Sequence, residues 1–392
     1  MRSVLPARPL PSWLPPSWLL PSRLPFLPLP RVRRAVDAVT AVVAAVAVAV
    51  LVLVGLPLPA AHAAEAPAPP PMRDGFGLTG TGPVTGTAAN FVVTVTTPQV
   101  AGEHRIRILL PRDYTAETDR RYPVLYFLHG ASDNPGNPNL AYPALAAAQS
   151  MITVIPDGGL RGWYTDWRDQ DTAAGAQNWE TFHINQVIPY IDANLRTLTG
   201  KQNRAVAGLS MGGFGALHYA QRHPGLFGQV ASFSGATDLS ANHLVMRGAV
   251  VATLTNVGTA LCGSSGPTCS LDFGPTVSSD AIFGSPYPIL NADRLWNEAD
   301  PSSHMDRLEG MGVALYTGDG KGNPAEPEFW VRSAAQHAKD GLDRLGHPYH
   351  YVDYGNGSGW GGACDGGHNY GCWAQDLVDY VPRLEAAFAS AA

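Results

Sequence analysis

The chain has 392 residues, 45% of them hydrophobic and 15% charged, with a formal net charge of −6. That much apolar material can build a sizeable core, in one large domain or two small ones. The mild acidity, with no basic block in the globular part, gives no basis for nucleic-acid binding.

Residues 1–30 mix Pro, Leu, Ser, Trp and Arg with no period that a core could use. Then follow RVRR at 31–34, an apolar run at 39–58 and the small residues AHA at 61–63. Positive, apolar and small-residue regions in that order predict a secretory signal peptide, with residues 1–63 as the leader and cleavage after Ala63. The length of this leader leaves a downstream start open, and about twenty apolar residues would also suffice for an uncleaved membrane anchor. The prolines of EAPAPPP at 65–71 predict an extended linker over 64–72, and the folded domain is expected over 73–392.

FVVTVTT at 91–97 and HRIRILLP at 104–111 alternate with period two, as antiparallel edge strands do. Later runs are continuously apolar: PVLYFLHG at 123–130, MITVIPDG at 151–158, RAVAGLS at 204–210, QVASFSG at 229–235, GVALYTGDG at 312–320 and YHYVDYG at 349–355. Such runs predict strands buried on both faces of a parallel sheet. Helical spacing connects them. Ile184, Val187, Ile188, Ile191 and Leu195 share one face, with Pro189 expected to kink or restart the helix. Phe214, Leu217 and Ala220 share another until HPG at 223–225. Ala335, Ala338, Leu342 and Leu345 form an inner stripe over 329–345, and Leu377, Val381, Leu384 and Phe388 form the last. Strand and helix in alternation predict an α/β fold, a three-layer sandwich around a mostly parallel sheet. Residues 238–294 read as a less regular insertion over the sheet's edge.

Four cysteines lie beyond the leader. An even number in an exported chain predicts disulfides, and closeness within Gly-rich loops pairs Cys262 with Cys269 and Cys364 with Cys372. A zinc site is the rival reading, but neither pair has the two-residue gap of a zinc knuckle, so no metal and no cofactor is expected.

Between the strand ending at 209 and the next helix, GLSMG places Ser210 between Gly208 and Gly212. A tight turn of small residues is the plain reading. The other is a nucleophile elbow, in which glycines let strand and helix pack closely while the serine holds a strained backbone. The Met211 N–H then opens the helix beside the hydroxyl and can hold the negative oxygen of a tetrahedral intermediate. Such a serine needs a base and an acid that follow it along the chain. His368 is the only histidine in the loop at 355–373, just before the final helix, and a bridge between Cys364 and Cys372 would pin that loop. Asp319 ends a strand and Glu328 begins a helix, and spacing alone leaves them even as the acid. A helix-start carboxylate is favoured by the dipole without any catalytic reason.

GLSMGGFGALHYA, GGLRGWYTDW at 158–167, NWETFHINQVIPYI, WNEADPSSHMDRL and HNYGCW together resemble the esterase family that contains the antigen 85 mycolyltransferases. The likeness runs from about the strand at 104 to the C-terminus. It implies the α/β-hydrolase fold and a glutamate acid where a helix begins ahead of the last strand, which is Glu328. It also implies a second oxyanion donor at Ala131, after the HG at 129–130. The implied substrates are small-molecule or lipid acyl esters, attacked through an acyl-enzyme. The transferases of the family carry an arginine directly after that donor, whereas Ser132 stands here. A secreted serine esterase is therefore the first expectation. An acyltransferase using a sugar or glycerol acceptor comes second, and a non-catalytic cell-wall-binding protein on the same fold third. Trp163, Tyr164, Trp167, Trp360 and Trp373 fall near the expected mouth, where acyl gripping and loop packing are both open. Asp166 and Glu180 are expected to cap and hydrogen-bond locally.

Overall fold

The computed structural model describes residues 68–137, 140, 142–256 and 273–391. The expected leader, residues 64–67 of the linker and the Cys262–Cys269 pair lie outside the described residues. Ten strands of the described residues form one sheet. β1 (Thr79–Gly80) and β2 (Thr85–Gly86) both pair antiparallel with β3 (Asn90–Thr96), which pairs antiparallel with β4 (Glu103–Leu109). The parallel part comprises β5 (Val124–Leu128), β6 (Ile152–Pro156), β7 (Arg204–Leu209), β8 (Gln229–Phe233), β9 (Gly312–Thr317) and β10 (Tyr349–Asp353). Its order is β6-β5-β7-β8-β9-β10, with β4 joined antiparallel to β6. The two alternating strands are thus antiparallel as expected, but β4 is internal, because β3 and its short partners extend the sheet beyond it.

Side-chain alternation divides the core into two layers. Val124, Tyr126, Leu128, Val206 and Val230 face one side, packed with Phe214 and Leu217, while Leu125, Phe127, Ala205, Ala207 and Phe233 face the other, packed with Leu377, Val381 and Leu384. Helices α1 (Pro143–Ala147), α4 (Met211–Arg222), α7 (Pro327–Leu345) and α8 (Tyr370–Ser390) cover these faces. β5, β6 and β7 are buried throughout, as their continuous apolar runs require. β10 is only half-buried, because it ends the sheet and has a strand on one side only.

The segment around Pro189 begins as α2 (Trp179–Thr181), widens into a π-helical stretch (Phe182–Val187) and resumes as α3 (Ile188–Asn194). Proline has no N–H to give four residues back, and the wider turn ahead of it accommodates that loss. In α7 the expected stripe holds at Ala335, Ala338 and Leu342, but Leu345 is 52% exposed, at the last residue before the left-handed Gly346 cap. The described residues of the insertion at 238–294 contain α5 (Leu244–Thr255). Its Thr253 and Leu254 carbonyls accept from Arg161, Thr253 Oγ1 accepts from Trp163, and Phe283 meets Phe214 of α4. These described residues therefore pack against the loop after β6 and against α4. A short helix, α6 (Arg294–Ala299), follows it. The carboxyl ends of β5, β7, β8, β9 and β10 all open toward one rim, where an open α/β sheet offers loops for chemistry.

Candidate active site

Ser210 sits between β7 and α4 with φ 54° and ψ −119°, a conformation that costs a non-glycine residue strain. The glycines around it are required by close approach. A Cβ on Gly212 would stand 2.1 Å from the Leu128 carbonyl oxygen, and one on Gly208 would stand 2.3 Å from the Gly212 oxygen. The Ser210 N–H donates to Phe233 O at 2.9 Å, tying the turn to the end of β8. Strand, turn and helix thus hold the hydroxyl forward at the rim.

His368 comes from the loop after β10, and its Nε2 lies 2.9 Å from Ser210 Oγ. Its Nδ1 lies 2.7 Å from Glu328 Oε2. A carboxylate oxygen accepts, so Nδ1 carries the ring proton and Nε2 is left to accept from the serine hydroxyl. Glu328 is 0% exposed, in the first turn of α7. Its Oε1 takes Ser234 Oγ at 2.9 Å, Thr317 Oγ1 at 3.0 Å and the Gly318 N–H at 2.8 Å. These donors fix the carboxyl plane so that only Oε2 faces the ring. Asp319, the rival acid, turns the other way and accepts from the Lys321 N–H at 2.8 Å.

Nothing in the sequence marks Ser234 and Thr317 as site residues. They are small residues at strand ends, and no spacing distinguishes them from structural ones. Ser234 takes a left-handed φ of 49° and also accepts from Trp373 Nε1 at 3.1 Å. Trp373 stands edge-on to the His368 ring, with centroids 4.9 Å apart. The other aromatics weighed for the mouth are packing residues. Trp163, Tyr164 and Trp167 are buried, and Trp360 stacks on Tyr354 and donates to Asp376.

Met211 begins α4, which has no side-chain cap, and Gly213 N–H already donates to Ser210 O at 2.9 Å, so the leading donors of the helix are those of Met211 and Gly212. Ala131 lies in the turn after β5. Its neighbour Gly130 comes so close to the serine that an added Cβ would stand 3.4 Å from Ser210 Cβ. The turn is anchored from behind. Gly158 N–H donates to His129 Nε2 at 2.8 Å, His129 Nδ1–H donates to Gly130 O at 2.8 Å, and Ser132 N–H donates to Leu160 O at 2.7 Å. Burial works to raise the neighbouring Asp157 carboxyl, but the hydrogen bond with His104 at 3.0 Å and the nearby His129 ring outweigh it and hold the group below the usual range. Burial also pushes His183, which donates from Nε2 to Asp157 O, down to about 3.

Cys364 and Cys372 are bridged on either side of His368. The loop is further tied by Gly320 N–H to Gly366 O and by an ion pair between Lys321 and Asp365. Asp166 accepts from Thr181 N–H and hydroxyl, the local role expected of it. Glu180 instead reaches across to α4, pairing with Arg222 at 2.8 Å and His223 at 2.7 Å. Among the described residues no group of three or more His, Cys, Asp or Glu could hold a metal ion.

Residues 97–384 match the Esterase family model, described as "Putative esterase". The chain is 34% identical over 236 residues to Esterase Rv1288 of Mycobacterium tuberculosis, covering 58% of this chain and 44% of that protein. It thus spans less than half the length of that relative. It is 25% identical over 280 residues to the diacylglycerol acyltransferase/mycolyltransferase Ag85B of Mycobacterium avium, covering 67% of this chain and 74% of the relative. The crystal structure of Mycobacterium tuberculosis MPT51 superimposes with a TM-score of 0.55 at 21% identity, over 79% of this chain and all of that one, a likeness of fold.

Proposed function

We propose, for a chain that belongs to the esterase family, that it is an exported serine esterase in which Ser210, His368 and Glu328 act as nucleophile, base and orienting acid. The observation that carries this reading is the unbroken line from Ser210 Oγ to His368 Nε2 at 2.9 Å and from His368 Nδ1 to Glu328 Oε2 at 2.7 Å. His368 takes the serine proton as the oxygen attacks an ester carbonyl, and Glu328 steadies the imidazolium that forms. The Met211 and Ala131 N–H groups receive the oxyanion. His368 then hands its proton to the leaving alcohol, and a water activated by the same ring releases the acid. The bridge at Cys364–Cys372 supports an oxidising compartment and hence export, with residues 1–63 as the removed leader. Among the described residues no helix is long and apolar enough to cross a membrane.

The similarity to Ag85B favours a second reading, in which an alcohol replaces water as the acyl acceptor. Ser132 follows the Ala131 turn, and no arginine stands there to shape a sugar site. Hydrolysis is therefore the reading preferred. Both are tested with p-nitrophenyl esters of graded acyl length. Ser210→Ala should remove the burst of p-nitrophenol and lower kcat by at least about 10³-fold. Turnover that survives this change sinks the nucleophile. Faster acyl transfer to trehalose or diacylglycerol than to water sinks the hydrolase.

A further inference from the structure

The loops that carry the oxyanion turn and the base meet a second time, through residues 237 positions apart in the chain. Asp133 lies two residues beyond Ala131 and is 6% exposed. One carboxylate oxygen, Oδ1, accepts from its neighbour's Asn134 N–H at 2.8 Å and from Asn137 Nδ2 at 2.9 Å, which sets the turn after β5. The other, Oδ2, accepts from the Tyr370 hydroxyl. Tyr370 lies two residues beyond His368, at the first position of α8. Asn369 caps that helix, accepting from Gly371 N–H at 3.0 Å and Cys372 N–H at 3.2 Å. The Tyr370 ring packs edge-on against Trp373, which in turn stands edge-on to His368. Burial and the neighbouring Asp133 both raise the phenol above its ordinary value, so it remains a donor over the working pH range.

We infer that Asp133 and Tyr370 are a positioning pair, whose hydrogen bond sets the span between the Ala131 amide and the His368 ring across the mouth of the site. The inference rests on the triad proposed above and adds to it a link that touches neither substrate nor reacting atoms. The Ala131 turn is anchored behind by His129, but that anchor leads toward β6, away from the base. The His368 loop is anchored by its disulfide and by Lys321, toward β9. Among the described residues, the Asp133–Tyr370 contact joins the two anchored halves directly. A hydrogen bond to a carboxylate is short and strong, which suits a contact that must hold one distance. Catalysis is sensitive to such distances, since a displacement of about 1 Å costs on the order of 10²-fold in rate.

Asp133→Asn, Tyr370→Phe and the double variant are measured for kcat and KM with a p-nitrophenyl ester, and for the Ki of a boronic acid that forms a tetrahedral adduct on Ser210. Each single change should lower kcat by about 10- to 100-fold with KM within about threefold. Boronate affinity should fall in parallel with kcat/KM, and the double variant should be no worse than the poorer single. A merely structural staple would lower Tm and leave kcat and Ki of the folded protein unchanged, which overturns the inference. So does a double variant whose losses multiply, or a loss confined to KM. Should Asp133→Asn fail to fold, Tyr370→Phe decides alone, since it removes only a hydroxyl from a partly exposed ring. Failure here differs from failure of the triad. Unchanged kinetics in Tyr370→Phe with a dead Ser210→Ala refutes the pair alone, whereas activity surviving Ser210→Ala refutes the nucleophile beneath it.

Discussion

Replacing Glu328 by glutamine tests the site more sharply than deleting it, because the shape is kept and one oxygen becomes NH2. Two orientations are open to the amide. In one, its oxygen stays with Ser234, Thr317 and the Gly318 N–H, and its NH2 faces His368 Nδ1. Nδ1 must then accept, the ring proton moves to Nε2, and Nε2 no longer has a lone pair for Ser210. In the other, the NH2 confronts the Gly318 N–H. The two hydroxyls can rotate to accept, but a backbone N–H cannot, and a buried unsatisfied donor costs about 1–3 kcal/mol. The first orientation therefore wins, and it holds the wrong tautomer. The same change in the acid of a serine triad lowers kcat by about 10⁴-fold, or roughly 5 kcal/mol at 1.36 kcal/mol per decade.

The expected result for Glu328→Gln is thus a fall in kcat of about 10⁴-fold with little change in far-UV circular dichroism. Stopped-flow measurement of p-nitrophenol release gives the acylation rate directly, and ¹⁵N NMR of the imidazole reports the tautomer. Asp319→Asn is the matched control. Its side chain accepts from Lys321 N–H and does not face the ring, so kcat should stay within about threefold. A folded Glu328→Gln within tenfold of the parent, or an Asp319→Asn that loses more, refutes the reasoning.

Gly212→Ala places a Cβ 2.1 Å from Leu128 O, so soluble yield and Tm should both fall sharply; a variant as stable as the parent would refute close packing as the reason for glycine. Removing the Cys364–Cys372 bridge by a double alanine change frees a loop of sequence separation 8, worth about 2–3 kcal/mol in the chain-entropy model. The denaturant midpoint should drop accordingly and kcat should fall more than KM rises, and an unchanged midpoint speaks against the bridge as a stabiliser. His183 is depressed to about 3 from its ordinary 6.5. The unfolded chain then takes the proton at a higher pH than the fold does, so this group's contribution is undiminished above pH ~6.5 and is lost as pH falls toward ~3. The slope is ~1.4 kcal/mol per pH unit where only the unfolded state is protonated. A folded His183→Gln variant should lose stability less steeply between about pH 6.5 and pH 4 in urea titrations, and an identical slope counts against the buried neutral ring.

The elements that can be read in the chain are those whose cause is local. β5, β6 and β7 are continuous apolar runs because both their faces are covered. Gly208 and Gly212 flank Ser210 because backbone atoms leave no room for a Cβ, a constraint that residue type alone reports. Period reveals which face of an element is apolar, but not how far its cover extends. That is why β10 and Leu345 come out more exposed than their patterns imply. The insertion at 238–294 has no period to read, and its place over α4 depends on contacts such as Arg161 to the Thr253 carbonyl.

The candidate acid shows where local reading stops. Asp319 and Glu328 follow the same strand, and both begin a helical turn, so composition and spacing treat them alike. What separates them is direction. The turn at Gly320 carries a left-handed φ of 61° and redirects the chain before α7 starts, and a Cβ there would press on the Phe329 backbone at 2.5 Å. That close approach sets the first turn of α7 against the end of β9, where Ser234, Thr317 and the Gly318 N–H can hold one oxygen of Glu328 while the other faces His368. Asp319 is spent on the turn itself, through its bond to the Lys321 N–H. The two carboxylates thus divide the work: one folds the loop, and the folded loop aims the other.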